Sequence, residues 1–403
     1  MSTAPPVTFP QSAERPAVPP ILEEHLEEQA FLWIQRRRLL FSPDVPARRL
    51  PAHDERIAAH WDALVIGGAA SVAVAETRLE DENPWIAASA LRCWLELARP
   101  DGPTAFARLE TMPPEFAPAW REALRWVDEA TVDRLFPAAR VSALPPAPQA
   151  LAIEARAAHE KLDAALAQQA ARHADPIVRG AIARVLAWPG TGGFAPPLLG
   201  ALTADADPAV RRRARWSAGL RDAAGWCARL RSARVTELEP FDARTLGWLG
   251  EEPEDSRVLA TWAEHDPLRE ASLLALGDLG DTDAIETLLR VLAVPDDAVK
   301  LAATAGLERA LGPLAGEEGD EPKVAPADLP RAKWRTLSES LPRGARLWRG
   351  KARPWSGEAR EEPMGWTWRG ALLRPKPETR EFSRHVPDGF WAARESIVAE
   401  PGT

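Results

Sequence analysis

The densest basic stretch in the chain is Arg211-Arg212-Arg213-Ala214-Arg215-Trp216. Guanidinium groups grip carboxylates and phosphates through forked N–H donors. Arg212, Arg213, Arg215 and Trp216 are therefore the candidates for holding an acidic or anionic partner. The alternative for this stretch is structural, one arginine tied into a ladder between repeats and its neighbours simply solvated. His53 and His60, close to Asp54, Glu55 and Asp62, are the second set with possible chemistry. A zinc site needs more ligands on one face, and His159-Glu160 is followed by Lys-Leu-Asp rather than by a second spaced histidine. Those histidines read as capping and surface residues, and no metal is expected. Trp188-Pro-Gly-Thr-Gly-Gly-Phe194 lacks the Lys-Ser/Thr of a phosphate loop and reads as a turn between helices. No serine sits in a Gly-x-Ser-x-Gly elbow. Catalytic residues and cofactors are accordingly read as none, and the chain as not an enzyme.

What must position the arginines is a helix, because they follow Asp207-Pro208-Ala209-Val210. An Asp caps the free N–H groups of a first turn, and Pro is preset for the first helical position. Asp175-Pro176-Ile177-Val178-Arg179 repeats the pattern, and 207 − 175 gives a spacing of 32 residues. Keeping the apolar fourth position in register adds Asn83-Pro84, Ala117-Pro118, His265-Asp266-Pro267-Leu268-Arg269 and Asp296-Asp297-Ala298-Val299-Lys300. Successive gaps are 34, 58, 32, 58 and 31 residues. Each gap of 58 holds a weaker copy, around Ala147-Pro148 and Leu238-Glu239-Pro240-Phe241. Eight units of about 30 residues imply two short antiparallel helices apiece, with partners such as Phe194 to Leu202 and Thr282 to Leu292. One pair cannot bury its own apolar side, so neighbours must stack. The fold class predicted is all-α, an α-α superhelix.

These residues resemble the HEAT repeat, in its short form Asp-Pro-x-Val-Arg-x-x-Ala-x-x-Ala-Leu-Gly, over roughly residues 83–311. The resemblance implies that the Asp-Pro helix is the second of each pair and lines a concave surface. It also implies that Asp175, Arg179, Asp207, Arg211, Arg269 and Lys300 form a ladder between adjacent units, interrupted where the Leu238 unit carries Asp242. Ile21-Leu-Glu-Glu-His25 through Trp33, followed by Asp54-Glu-Arg-Ile57 through Leu64 and Gly67-Gly68, is similar to an uncharacterised proteobacterial HEAT-repeat family. Members of that family are often encoded beside type VI secretion components.

Composition supports helices, with 17 Trp, 39 Pro and no Tyr. Residues 1–20 hold six prolines and read as a disordered arm; 21–82 read as a helical cap. Its first stripe is Ile21, Leu22, Leu26, Ala30, Trp33 and Ile34, and a second helix from about Pro51 to Ile66 turns Ile57, Trp61 and Leu64 inward. Residues 312–328 read as a linker of Gly, Pro and acids. Residues 329–403 carry 15 Lys+Arg against 9 Asp+Glu, net +6, so the whole-chain −9 leaves −15 for residues 1–328. That tail has six Trp and no long helical period, with Met364-Gly-Trp-Thr-Trp368 read as a strand or a docking segment, and it is expected to pack against another surface, with its own acidic groove as one candidate.

Cys93 and Cys227 read as buried free thiols, no leader is visible, and a cytoplasmic location is expected. The function expected is a protein–protein interaction scaffold or adaptor, with an accessory of a bacterial secretion system as the narrower form that the N-terminal resemblance implies. The alternative is a nucleic-acid-binding protein or an enzyme like a DNA-base glycosylase, built on Trp216, Trp188 and Asp222. A tetrapyrrole lyase would rest on repeat similarity alone. A net −15 over the repeats weighs against binding phosphates, which needs a basic stripe.

Overall fold

The computed structural model describes residues 18–41, 50–111, 113–188, 190–250, 254–314, 328–341, 346–348 and 350–353, plus two short backbone pairs at 374–375 and 382–383. The chain is all-α. It divides into two compact units, one of residues 1–36 with 51–135, the other of 37–50 with 136–403. The division falls inside the stretch read as continuous repeats.

The first unit opens with α1 (Pro19–Phe41), α2 (Leu50–Gly67) and α3 (Ala69–Arg78). It continues through α4 (Pro84–Cys93), a π-helical turn at Trp94–Ala98, α5 (Gly102–Glu110), α6 (Ala117–Trp126) and α7 (Glu129–Leu135). Gly68 takes φ 52, which lets the chain reverse between α2 and α3. Leu22, Leu26, Ala30 and Trp33 are buried as the stripe predicts, but Ile21 is half exposed. Trp61 is only half-buried, because it lies over a guanidinium rather than in the apolar core.

The second unit contains α8 (Ala138–Val141), α9 (Pro146–Ala158), α10 (Ala164–Ala171) and α11 (Pro176–Val185). Then come α12 (Ala195–Leu202), α13 (Pro208–Arg221), α14 (Ala223–Ser232) and α15 (Pro240–Leu249). It closes with α16 (Asp255–Trp262), α17 (Asp266–Leu279), α18 (Thr282–Val291), α19 (Asp297–Leu311) and α20 (Leu329–Ser338). Each odd-numbered helix from α9 to α19 packs against the next odd-numbered one. The even-numbered helices α10 to α18 lie against the flanks of that row. One shared core runs from Trp216 through Phe241, Trp248, Leu276 and Leu307 to Leu347.

The starts of these helices follow from local chemistry. Asn83, Asp175, Asp207 and Asp296 each accept a backbone N–H of the first turn. Glu239, not Leu238, caps α15, in a reciprocal box with Asp242. That shift of one residue puts Asp242 at the third helical position, not in the arginine's place.

Two glycines set the spacing of the last helices. A Cβ on Gly247 would meet Ala275 Cα at 2.7 Å, and one on Gly277 would fall on the Gly306 backbone. Here helices α15, α17 and α19 approach backbone to backbone.

The segment expected to lack helical period contains α20, and after it a small hairpin, β1 (Arg346–Trp348) with β2 (Lys351–Arg353). Arg374–Pro375 and Phe382–Ser383 form a second two-residue ladder. Most of the N-terminal arm, residues 315–327 of the linker and the Met364–Trp368 segment lie outside the described residues. Among the described residues no single helix is long and apolar enough to cross a membrane.

Candidate interaction surfaces

The arginine stretch of α13 is largely committed inside the fold. Arg211 donates from Nε to Glu239 Oε1 at 2.5 Å and from Nη1 to the Asp205 carbonyl at 2.6 Å. Arg215 donates from Nη1 to Asp242 Oδ2 at 2.5 Å and from Nε to the Thr203 carbonyl. Arg213 lies across α11, where its Nη1 fills the space a Cβ on Gly180 would take. Trp216 is fully buried and meets Trp248 edge-on at 5.3 Å and Phe241 at 6.3 Å. Trp216 is thus a core residue and Arg215 an internal ion-pair partner, so neither is free to hold a second protein. Arg212 is half-buried, and no ion pair or side-chain hydrogen bond occupies it among the described residues.

The six ladder residues divide by what each side chain can reach. Asp175 and Asp207 cap their helices, and both carboxylates also lie close enough to Arg179 to favour its charge. Arg179 pairs with Asp205 through two bonds of 2.8 and 3.0 Å, and its Nη1 holds the His173 and Ala174 carbonyls. The hydrogen bond from Arg179 holds the Asp205 carboxyl below the usual range. Arg211 repeats the arrangement with Glu239 and its own loop, so both arginines fasten a loop and the following unit together. Arg269 holds the Ala263 carbonyl at 3.1 Å but pairs with Asp266 in its own helix. Among the described residues Lys300 pairs only with Asp297, also in its own helix. A lysine lacks the fork needed to hold loop carbonyls and a carboxylate together. The Leu238 unit has Ala243 at the fourth position after its Glu239 cap, so no motif arginine leaves α15, while Asp242 receives Arg215 of α13.

A second, deeper series of ion pairs was not anticipated. Glu154 accepts from Arg184 at 3.0 Å, joining α9 to α11, with both side chains buried. Asp278 on α17 receives Arg244 of α15 at 2.7 Å and Arg309 of α19 at 3.1 Å. Its signal is visible in the sequence. Glu154 and Arg184 each stand nine residues after their caps, 154 − 145 and 184 − 175. Asp278 and Arg309 each stand thirteen after theirs, 278 − 265 and 309 − 296. Opposite charges at one register, one period apart, mark such pairs.

In the first unit Arg92 stacks over the Trp61 ring at 3.9 Å and also faces Trp126, while its Nε donates to Glu96. Arg36 and Asp54 form a buried pair at 2.6 Å. His25 Nδ1 and His60 Nδ1 share a hydrogen bond of 3.0 Å between α1 and α2, while His53 Nε2 bonds the Leu32 carbonyl. The two histidines once paired as possible ligands are thus on separate partners. Among the described residues no three His, Cys, Asp or Glu gather as a metal site. Cys93 and Cys227 are free and buried, and burial pushes the Cys93 thiol up to about 12. Of the three residues considered for base excision, Trp188 and Trp216 are core and Asp222 caps α14.

No protein-family profile matches the chain, and no curated protein sequence does. Among solved structures, an engineered protein is similar at 15% identity and a TM-score of 0.28, covering 72% of this chain and 94% of that one. Human deoxyhypusine hydroxylase in complex with glycerol is similar at 17% identity and a TM-score of 0.23, covering 72% and 96%. Scores this low carry no inference.

Proposed function

We propose that the chain is a non-enzymatic interaction scaffold of the HEAT-repeat type, in which the row of odd-numbered helices presents one elongated face to a protein partner. The observation that supports this reading is the repetition of one contact, helix to helix, from α9 to α19 over a shared core. A quasi-one-dimensional stack of this kind offers an extended surface while each unit needs only its neighbours for stability. On this reading the protein works in the cytoplasm and serves as an adaptor, with a bacterial secretion system as the assembly its N-terminal resemblance suggests. The acceptors within the chain neutralise Arg211 and Arg215, which leaves the acidic balance of residues 1–328 in place and favours a protein over a nucleic acid.

The test is recovery of partners on immobilised full-length protein, compared with the Arg212→Glu variant. A protein recovered at fixed ratio, competed by free chain and reduced by the variant, supports the scaffold and places its contact near α13. Recovery unaffected by the variant moves the contact elsewhere. Duplex DNA retained at moderate salt, with no protein recovered, replaces the scaffold with the nucleic-acid reading.

A further inference from the structure

The tail's positive charge is concentrated in its first third. Residues 329–353 hold eight Lys+Arg and one acid, Glu339, for +7, whereas 354–403 hold seven and eight, for −1. Within that part Lys333, Arg346, Leu347 and Gly350 are bonded to the fold. Lys333 Nζ on α20 donates to the Pro313 carbonyl at 2.7 Å. Arg346 Nη2 donates to the Gly250 carbonyl at 2.9 Å, the Leu347 N–H to the Gly280 carbonyl at 2.7 Å, and the Gly350 N–H to the Ala310 carbonyl at 2.8 Å.

Those three acceptors belong to the C-terminal ends of α15, α17 and α19. Helix ends leave carbonyls without intrahelical donors and carry partial negative charge. An extended basic segment supplies both donors and charge. The Leu347 side chain completes the contact, 2% exposed within the shared core. The bed is shaped for close backbone passage. Gly280 takes φ 64, and a Cβ there would collide with the Leu347 carbonyl; one on Gly350 would lie 2.8 Å from the Leu311 carbonyl.

We propose that the C-terminal ends of α15, α17 and α19 form a recognition bed for a basic segment with an arginine followed by a leucine, and that Arg346, Leu347 and Gly350 are its intramolecular occupant, exchangeable for a partner protein's segment of the same chemistry. The hairpin holding the occupant has only three residue pairs, too few to be stable by itself. Its seat therefore depends on one leucine, one arginine, two backbone donors and a glycine at the second donor, all of which another chain can supply. A tethered occupant competes through its effective concentration, so an outside segment binds weakly until the tether's contacts are loosened. The proposal shares with the scaffold reading only the premise that the partner is a protein.

The probe is a fluorescent peptide of residues 343–353, titrated into full-length wild type and into the full-length Leu347→Asp variant. The variant is expected to bind the peptide at least about tenfold more tightly than wild type, because its own occupant no longer competes. A peptide with the same leucine changed to aspartate should not bind. Equal affinity for both chains, or none for either, makes the segment a fixed structural cap and overturns the proposal. Should Leu347→Asp fail to fold, amide exchange of wild type decides the matter. Exchange at Leu347 and Gly350 must accelerate with excess peptide, and unchanged rates overturn the proposal equally. Neither readout depends on whether any partner binds the helix row.

Discussion

Arg215 and Asp242 are joined across α13 and α15 at 2.5 Å, and the carboxylate, 1% exposed, lies far deeper than the guanidinium, 15% exposed. Removing Arg215 strands a buried charge, whereas also replacing Asp242 by asparagine removes that charge and keeps an acceptor for the Glu239 N–H. Arg215→Leu is expected to destabilise by about 3 kcal/mol, and Arg215→Leu with Asp242→Asn by much less. Urea unfolding of the single and double variants measures both, and a double variant as damaged as the single one would contradict the assignment.

The same carboxylate gives a pH signature. Burial raises Asp242 from 3.8 to about 6, outweighing the pull of Arg215. Between those values the folded chain binds the extra proton, so this group's contribution to stability declines as pH rises through the window. The stability of Asp242→Asn relative to wild type should therefore improve from about pH 4 to pH 6 and then level off. A difference independent of pH would show that the carboxyl titrates normally.

His60 works in the opposite sense. Burial first, then His25, lowers its affinity for a proton below the ordinary 6.5. In the window beneath 6.5 the unfolded chain binds more protons, so stability is full above it and falls as the pH drops. Proton NMR should place the His60 midpoint under 6.5, and His60→Gln should flatten the acid side of the stability curve.

Arg179 serves a carboxylate and two carbonyls at once. Arg179→Lys keeps the charge but not the fork, and a loss of about 1–2 kcal/mol is expected. The corresponding change at Arg269, whose acidic partner lies in its own exposed turn, should cost less. Denaturation midpoints compare the two, and equal losses would mean that the bond across units adds nothing.

Gly277→Ala should be harmful, since its Cβ would fall on the Gly306 backbone. Overpacking of this kind costs roughly 1–3 kcal/mol. Gly200→Ala, where a Cβ meets nothing within 4 Å, is the control, and similar melting points for both would argue against the close crossing.

The helix starts are legible in the sequence because a cap and a first-turn proline act within four residues. The partners of the motif arginines are not, since Arg179 finds Asp205 and Arg211 finds Glu239 through loops whose path depends on packing. Trp216 illustrates the limit of composition. Set among arginines it is read as a partner-binding residue, yet it is fully buried, edge-on to Trp248 and Phe241. α20 is hidden because ten residues carry less than three turns of periodicity. The basic bed contact is hidden because backbone donors, which any sequence has, make two of its three hydrogen bonds.

The glycine contacts divide the second unit by stiffness. Between α15, α17 and α19 the backbones themselves touch, and no rotamer can absorb a change of angle there. Between α11 and α13 the facing glycine meets the tip of Arg213, a long side chain that yields by rotating about its own bonds. Bending of the row is therefore expected before α15, with α15, α17 and α19 keeping their mutual angles.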